Sequence, residues 1–252
     1  MVVSKFEVTA SSEFAGGHSW GGFGIYEQID GLVTYGIDPE NCANRSIIDI
    51  DQATTDENGL VTFTSDFTIL KPAHLPPSRL LVDVVNRGRK RAVADFNMAS
   101  PNLEPASAID PGNGFLFNRG YTVASIGWQF DIYRSNELMG MDPPHLTRNR
   151  KLITGTNIVE IRPNRHLTSS LLANRMHRPY AAASMVNTNA RLLVREWEDG
   201  PDSEIPRSEW CFAKQVRGKL TPDDEYIYMA SGFQAGKIYN VIYEAKNPVL
   251  TG

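Results

Sequence analysis

The stretch from Arg79 to Asp131 constrains this chain most. It opens on RLLVDVV, continues through NRGRKRAVADFN and GNGFLFNRG, and closes on YTVASIGWQFD. Short runs so rich in Val, Leu and Ile read as strands buried on both faces. Between them Asn113 is placed to cap a helical turn over 114–119, with Gly120 as its C-terminal stop. Strand, crossover, helix and strand predict a βαβ unit with parallel, right-handed neighbours. In open α/β sheets chemistry collects at the carboxyl ends of such strands. Those ends carry Asn86-Arg87-Gly88 and Gly127-Trp128-Gln129. Asn86, Arg87 and Gly88 are therefore candidates for an oxyanion or anion-binding loop, and Trp128 and Gln129 for a pocket wall.

Length and charge narrow the partners. A chain of 252 residues makes one large domain or two small ones. A net charge of -4 argues against general binding to nucleic acid or anionic membrane. Cys42 and Cys211 are too few for a disulfide framework and read as buried thiols. The N-terminal MVVSKFEVTASSEF lacks the pattern of a signal peptide, and no stretch approaches the ~18 apolar residues of a membrane span, so a cytoplasmic chain is expected.

The glycine- and aromatic-rich residues 1–30 suit a loop packed on a sheet. Strands are predicted at GLVTYGID (31–38), SIIDIDQA (46–53) and LVTFTSDFTIL (60–70), with Asp56-Glu57-Asn58-Gly59 as a hairpin turn. The proline-bearing 139–151 segment marks an internal boundary, giving domains 1–149 and 150–252. Beyond it, NIVEIRP, RLLVREW, EWCFAK, YIYMA and KIYNVIYEA predict a β-rich lobe punctuated by turns such as DGPDSEIPRS and LTPDDE. The segment NRHLTSSLLANRM reads as a short helix.

Three motifs invite chemistry. Gly17-His18-Ser19-Trp20-Gly21 matches G-x-S-x-G, which makes Ser19 and His18 formal catalytic candidates. A working elbow needs a buried strand before the serine and a helix after it. Here SSEFAG precedes it and glycine-rich GFG follows, so the match reads as a glycine loop. Asp49, Asp51, Asp56 and Asn58 carry oxygen ligands but lack the spacing of a calcium loop. The histidines, His18, His74, His145, His166 and His177, lack metal-ligand spacing. No metal and no cofactor is expected. The cluster Arg87, Arg89, Lys90 and Arg91 reads as a solvated loop or, through Arg87, as a clamp for an anionic group.

One family resemblance spans nearly the whole chain. FAGG, FGIYEQIDG, YGIDPENCANRSIIDID, DENGLVTFTSDFTIL, LLVDVVNRG, NGFLFNRGYTVASIGWQFD, IPRSEWCFA and GFQAGKIYNVIYEAKNP occur in this order. The set resembles the N-terminal part of bacterial "alpha/beta hydrolase domain-containing" proteins, a serine-hydrolase-like family. The resemblance implies a β-rich α/β (mixed) fold: an incomplete α/β-hydrolase-like sheet with the βαβ unit at 79–131, plus a β-rich insertion lobe. It implies that 80–86 and 121–127 are successive parallel strands and that Asn86-Arg87-Gly88 lines the oxyanion region. It places the nucleophile elbow, acid and histidine beyond residue 252. The chain is then expected to be incompetent alone for ester hydrolysis and to meet a C-terminal hydrolase half or to self-associate through an exposed sheet edge. A non-enzymatic binding or interaction module is the alternative, and an esterase built on Ser19 the third.

Overall fold

Period-two alternation along long strands builds most of this molecule. The computed structural model describes residues 1–76, 78–100, 109–135, 138–148, 151–174, 177–186 and 188–250. The chain divides into two units: 1–51 with 55–144, and 52–54 with 145–250. The division expected between 149 and 150 falls on residues outside the described ones.

The first unit carries strands β1 (Val2–Glu13), β2 (Tyr26–Ile37), β3 (Val61–Pro72), β4 (Arg79–Val84) and β5 (Tyr121–Ile126) in the order β1-β2-β3-β5-β4, with β6 (Met141–Asp142) on β3. All neighbours in this sheet are antiparallel except β4 and β5, which run parallel in register from Arg79 opposite Tyr121 to Val84 opposite Ile126. Among the described residues the crossover between them carries a five-residue helix, α1 (Ala92–Phe96), and a 3-10 turn, Phe117–Arg119. Gly120 ends that turn in the left-handed conformation, φ 72°.

One face of this sheet meets an aromatic core. The Phe117 ring lies 5.1 Å from Phe14, 5.1 Å from Trp20 and 5.0 Å from Tyr26. Leu70, Val93, Leu116 and Val123 complete the cluster. Gly114 seats Trp20, because a Cβ there would come within 2.1 Å of the indole. The Tyr26 hydroxyl shares its proton between the carbonyls of Phe117 and Tyr121, at 3.2 and 3.1 Å. Burial pushes its pKa up to about 12. On the opposite face Phe6 stacks on Phe67 at 4.2 Å, directly over Gly31. There Leu80, Val82 and Val84 of the outermost strand remain exposed.

The second unit contains β7 (Thr147–Arg148) paired with β8 (Lys151–Leu152), and two larger antiparallel sheets. One is β12 (Ser203–Ile205), β11 (Arg191–Arg195), β15 (Ile238–Lys246) and β9 (Thr154–Ile161), in that order. The other is β10 (Leu167–Leu171), β14 (Lys219–Phe233) and β13 (Trp210–Val216). Their inner residues share one core: Tyr239, Val241 and Tyr243 from the first, Trp210, Phe212 and Ile227 from the second. Tyr243 donates to the Tyr180 carbonyl at 2.6 Å and accepts from Asn157 Nδ2 at 3.0 Å. Its pKa too is pushed up to about 12 by burial.

Several expectations are corrected. The β-rich α/β fold with an incomplete α/β-hydrolase-like sheet is overturned: strand makes up 50% of the chain, helix 10%, and the sheets are antiparallel but for one pair. With it the hydrolase-domain and esterase labels lose their structural ground. The crossover's own prolines and glycines (Pro111, Gly112 and Gly114 among them) oppose the helix that a hydrolase layer needs. Residues 2–13, expected in a loop, form β1, held by pairing with β2 although every residue of it is exposed. The predicted strand 46–53 is instead turns with a 3-10 segment, Ile50–Gln52. The predicted helix at NRHLTSSLLANRM contains β10, and the predicted turn LTPDDE lies inside β14. Among the described residues no helix is long and apolar enough to cross a membrane.

Both buried tyrosines make stability pH-dependent. Their folded pKa values lie above the ordinary 10.0, so the native state holds the phenolic proton longer than the unfolded chain does. Stability is full below about pH 10 and falls as pH rises towards about 12. Tyr26→Phe and Tyr243→Phe should each cost about 1 kcal/mol at neutral pH and flatten that alkaline fall in urea denaturation.

Candidate functional site

Strand register assembles a line of polar side chains across the first unit's sheet. Asp30 of β2 stands opposite Thr68 of β3, Thr68 opposite Ser125 of β5, and Ser125 opposite Asp83 of β4. Directly opposed residues project to one face, so all four share it. Two residues away along the strands the same face holds Leu70, Val123 and Leu81, which belong to the aromatic core. The face thus changes from apolar to polar within one pleat. Thr68 and Ser125 are buried, 3% and 5% exposed.

Each end of the line is a carboxylate with a different use. Asp83 Oδ2 accepts from the backbone N–H groups of Arg91 and Ala92, both at 3.1 Å, and from Ser125 Oγ at 3.4 Å. It fastens the start of α1 to the sheet. Asp30 accepts from Thr68 Oγ1 at 2.6 Å and from Gln28 Nε2 at 2.7 Å. These donors fix its carboxylate at the wall of an open cavity.

That cavity encloses about 630 Å³ and is lined by Asp30, Thr68, Asp66, Lys90, Arg134 and Ser135, among others. Arg134 grips both oxygens of Asp66 and also reaches Asp142. The Gly140 N–H donates to Asp66 Oδ2 at 2.8 Å. Lys90 is half-buried at the wall. Burial lowers its pKa, while the carboxylates of Asp30 and then Asp66 act in the opposite sense. Among the described residues no hydrogen bond or ion pair holds its ammonium group. The site therefore combines two carboxylates, one guanidinium and one ammonium, an electrically balanced set.

The strand-end residues singled out from sequence lie beside this cavity. Asn86 bridges to Arg89, and Arg87 and Gly88 between them both have positive φ, 54° and 74°, as tight turns of the primed kind require. A Cβ on Gly88 would stand 2.6 Å from the Met139 carbonyl oxygen. The structure brings Arg87 and Gln129 together: the Arg87 N–H donates to Gln129 Oε1 at 2.6 Å. The Trp128 indole N–H donates to the Val85 carbonyl at 2.7 Å, and Arg87 lies 3.6 Å from Asp131. The backbone donor that an oxyanion would use at Arg87 is thus already engaged. Trp128 is half exposed at 50% and crosses the two strand ends as a brace.

The remaining candidates lie apart from the cavity. Ser19 and His18 are exposed; Ser19 bridges to Ile25 and the His18 ring packs on Trp20 at 4.3 Å. No helix follows Ser19, only a 3-10 turn at Gly21–Phe23, and among the described residues no base hydrogen-bonds its hydroxyl. Asp56 serves its turn, accepting from the N–H groups of Asn58 and Leu60 at 2.9 Å each. Among the described residues no group of three His, Cys, Asp or Glu side chains is placed to hold a metal ion. Cys42 and Cys211 are both free thiols, exposed and half-buried rather than buried.

Asp30, Asp66, Thr68 and Arg134 were missed as site residues. One signal was present: Asp83 and Ser125 take the same offset in RLLVDV and YTVASI, a polar residue where each strand is otherwise apolar. Replacing Arg134 with Met would leave Asp66 half-buried without its guanidinium, and should lower stability by about 1–3 kcal/mol in denaturant titration. Asp66→Asn combined with Arg134→Met should recover part of that loss.

The chain matches no family model, no curated protein sequence and no solved structure.

Proposed function

We propose that this chain is a binding module whose ligand is a small, net-neutral, hydroxyl-rich molecule held over Asp30. The carrying observation is the polar line Asp30-Thr68-Ser125-Asp83 on the face that also carries the core residues Leu70, Val123 and Leu81. Burying such groups costs stability relative to apolar packing unless their partners are supplied. Asp83 has its partners within the fold, whereas Asp30 keeps acceptor capacity towards the cavity. Acceptors on Asp30 and donors on Lys90 match a vicinal diol, which gives and accepts hydrogen bonds from adjacent carbons. A strongly anionic or cationic ligand would unbalance the wall charges.

Thermal shift measurements with glycerol, sugar alcohols and monosaccharides test this. Saturable stabilisation is expected, following the logarithm of ligand concentration over Kd. It should vanish in Asp30→Ala while the folded baseline persists. Stabilisation of Asp30→Ala equal to that of the parent, or none for any neutral polyol, would overturn the assignment.

A second reading, self-association through a sheet edge, is favoured by β4. This outermost strand exposes Leu80 at 64%, Val82 at 48% and Val84 at 59%. Unpaired backbone beside exposed apolar side chains invites another strand. Sedimentation should show concentration-dependent dimers that Val82→Lys suppresses; a monomer throughout the accessible range would remove this reading.

A further inference from the structure

We propose that Lys90 is a nucleophilic amine that condenses reversibly with a small aldehyde or ketone bound in the cavity over Asp30. The proposal rests on that cavity being the ligand site and names a substrate class for it.

Four observations carry it. Lys90 lines the cavity and is half-buried there. The backbone around it is pinned: Arg89 N–H donates to the Asn86 carbonyl at 3.2 Å, Arg91 N–H to Asp83 at 3.1 Å, and Met139 N–H to the Gly88 carbonyl at 2.9 Å. The loop thus presents Lys90 at a fixed point of the cavity wall. Among the described residues its nitrogen is not committed to a carboxylate, unlike Arg134, whose guanidinium is taken by Asp66 and Asp142. Asp30 is held open on the same cavity wall by Thr68 and Gln28, with acceptor capacity for a proton. Burial, which lowers the Lys90 pKa, raises the share of free amine.

The step balances without a further reagent. The neutral Lys90 nitrogen adds to the carbonyl carbon as the C=O π bond breaks onto oxygen. The first of its two protons passes through the Asp30 carboxylate to that oxygen, giving a carbinolamine. The second follows the same route to the hydroxyl, the C–O bond breaks, water leaves, and a C=N bond to Lys90 Nζ remains. Addition of water reverses each step. Asp66, already gripped by Arg134 and the Gly140 N–H, is less suited to carry the proton.

Trapping tests the proposal on the full chain. The protein is treated with glycolaldehyde and cyanoborohydride at neutral pH, and each lysine's hydroxyethyl adduct is quantified by peptide mass spectrometry. Lys90 should label faster than exposed Lys5 and Lys219, about tenfold for each unit by which its pKa is depressed. Asp30→Asn should slow labelling at Lys90 alone, with the melting temperature of the folded protein recorded alongside. Labelling of Lys90 no faster than Lys5, or unaffected by Asp30→Asn in folded protein, would overturn it. Polyol binding without selective Lys90 labelling would overturn the amine chemistry and keep the cavity as a ligand site. Selective labelling without polyol binding would keep the cavity and its amine chemistry and overturn the neutral polyol as its ligand.

Discussion

The hydroxyl that Thr68 donates to the Asp30 carboxylate lets this sheet carry a polar line, buried at Thr68 and Ser125 and half-buried at its two carboxylates, beside its apolar core. An isolated carboxylate on a sheet face costs several kcal/mol to desolvate, and about 1.5–3 kcal/mol returns with each charged hydrogen bond. Asp30 recovers through Thr68 and Gln28, Asp83 through the N–H groups of Arg91 and Ala92. Remove these donors and the line becomes a fault across the first unit. Keep them, and its Asp30 end is a preorganised acceptor facing a cavity.

The crossover between the parallel strands supplies the cover for that line. Asp83 ties the start of α1 to β4, and Asn97, fully buried just after α1, donates to the Pro111 carbonyl and accepts from the Leu116 N–H. The connection is therefore held by side-chain hydrogen bonds to backbone rather than by a long helix packed on the sheet. This explains why one parallel pair coexists with an antiparallel sheet. A short helix needs little apolar surface beneath it, which leaves the centre of the face free to be polar.

Much of the framework was legible. The strands of the 79–131 stretch, the Asp56–Gly59 turn and β9, β11, β13, β15 and the later half of β14 in the second unit announced themselves through β-branched runs and alternation, because side-chain period reports directly on a half-buried strand. Elsewhere the local signal misled. SIIDID alternates like a strand but takes a turn with Asp49 at positive φ, 59°. LTSSL has mixed propensity and becomes β10 by pairing with β14, while LTPDDE starts β14 beside the β13–β14 turn, where Leu220, Thr221 and Pro222 pair with β13 before the register shifts. Pairing partners outweigh weak local preference in such segments.

The sequence by itself determined the β-rich character, the parallel relation of the 79–84 and 121–126 strands and the meeting of their carboxyl ends. These follow from runs of side chains that bury only in extended backbone, and from a connection too long for a hairpin. Tertiary structure alone decided that antiparallel β2 and β3 join this pair, and hence that Asp30 and Thr68 fall in line with Ser125 and Asp83. It also decided that Arg87 spends its N–H on Gln129 while Lys90 faces the cavity. Residues 30 and 68 share no local pattern with 83 and 125. Only the hydrogen-bonded register between strands, a long-range property set by packing on the Phe117 core, brings them side by side.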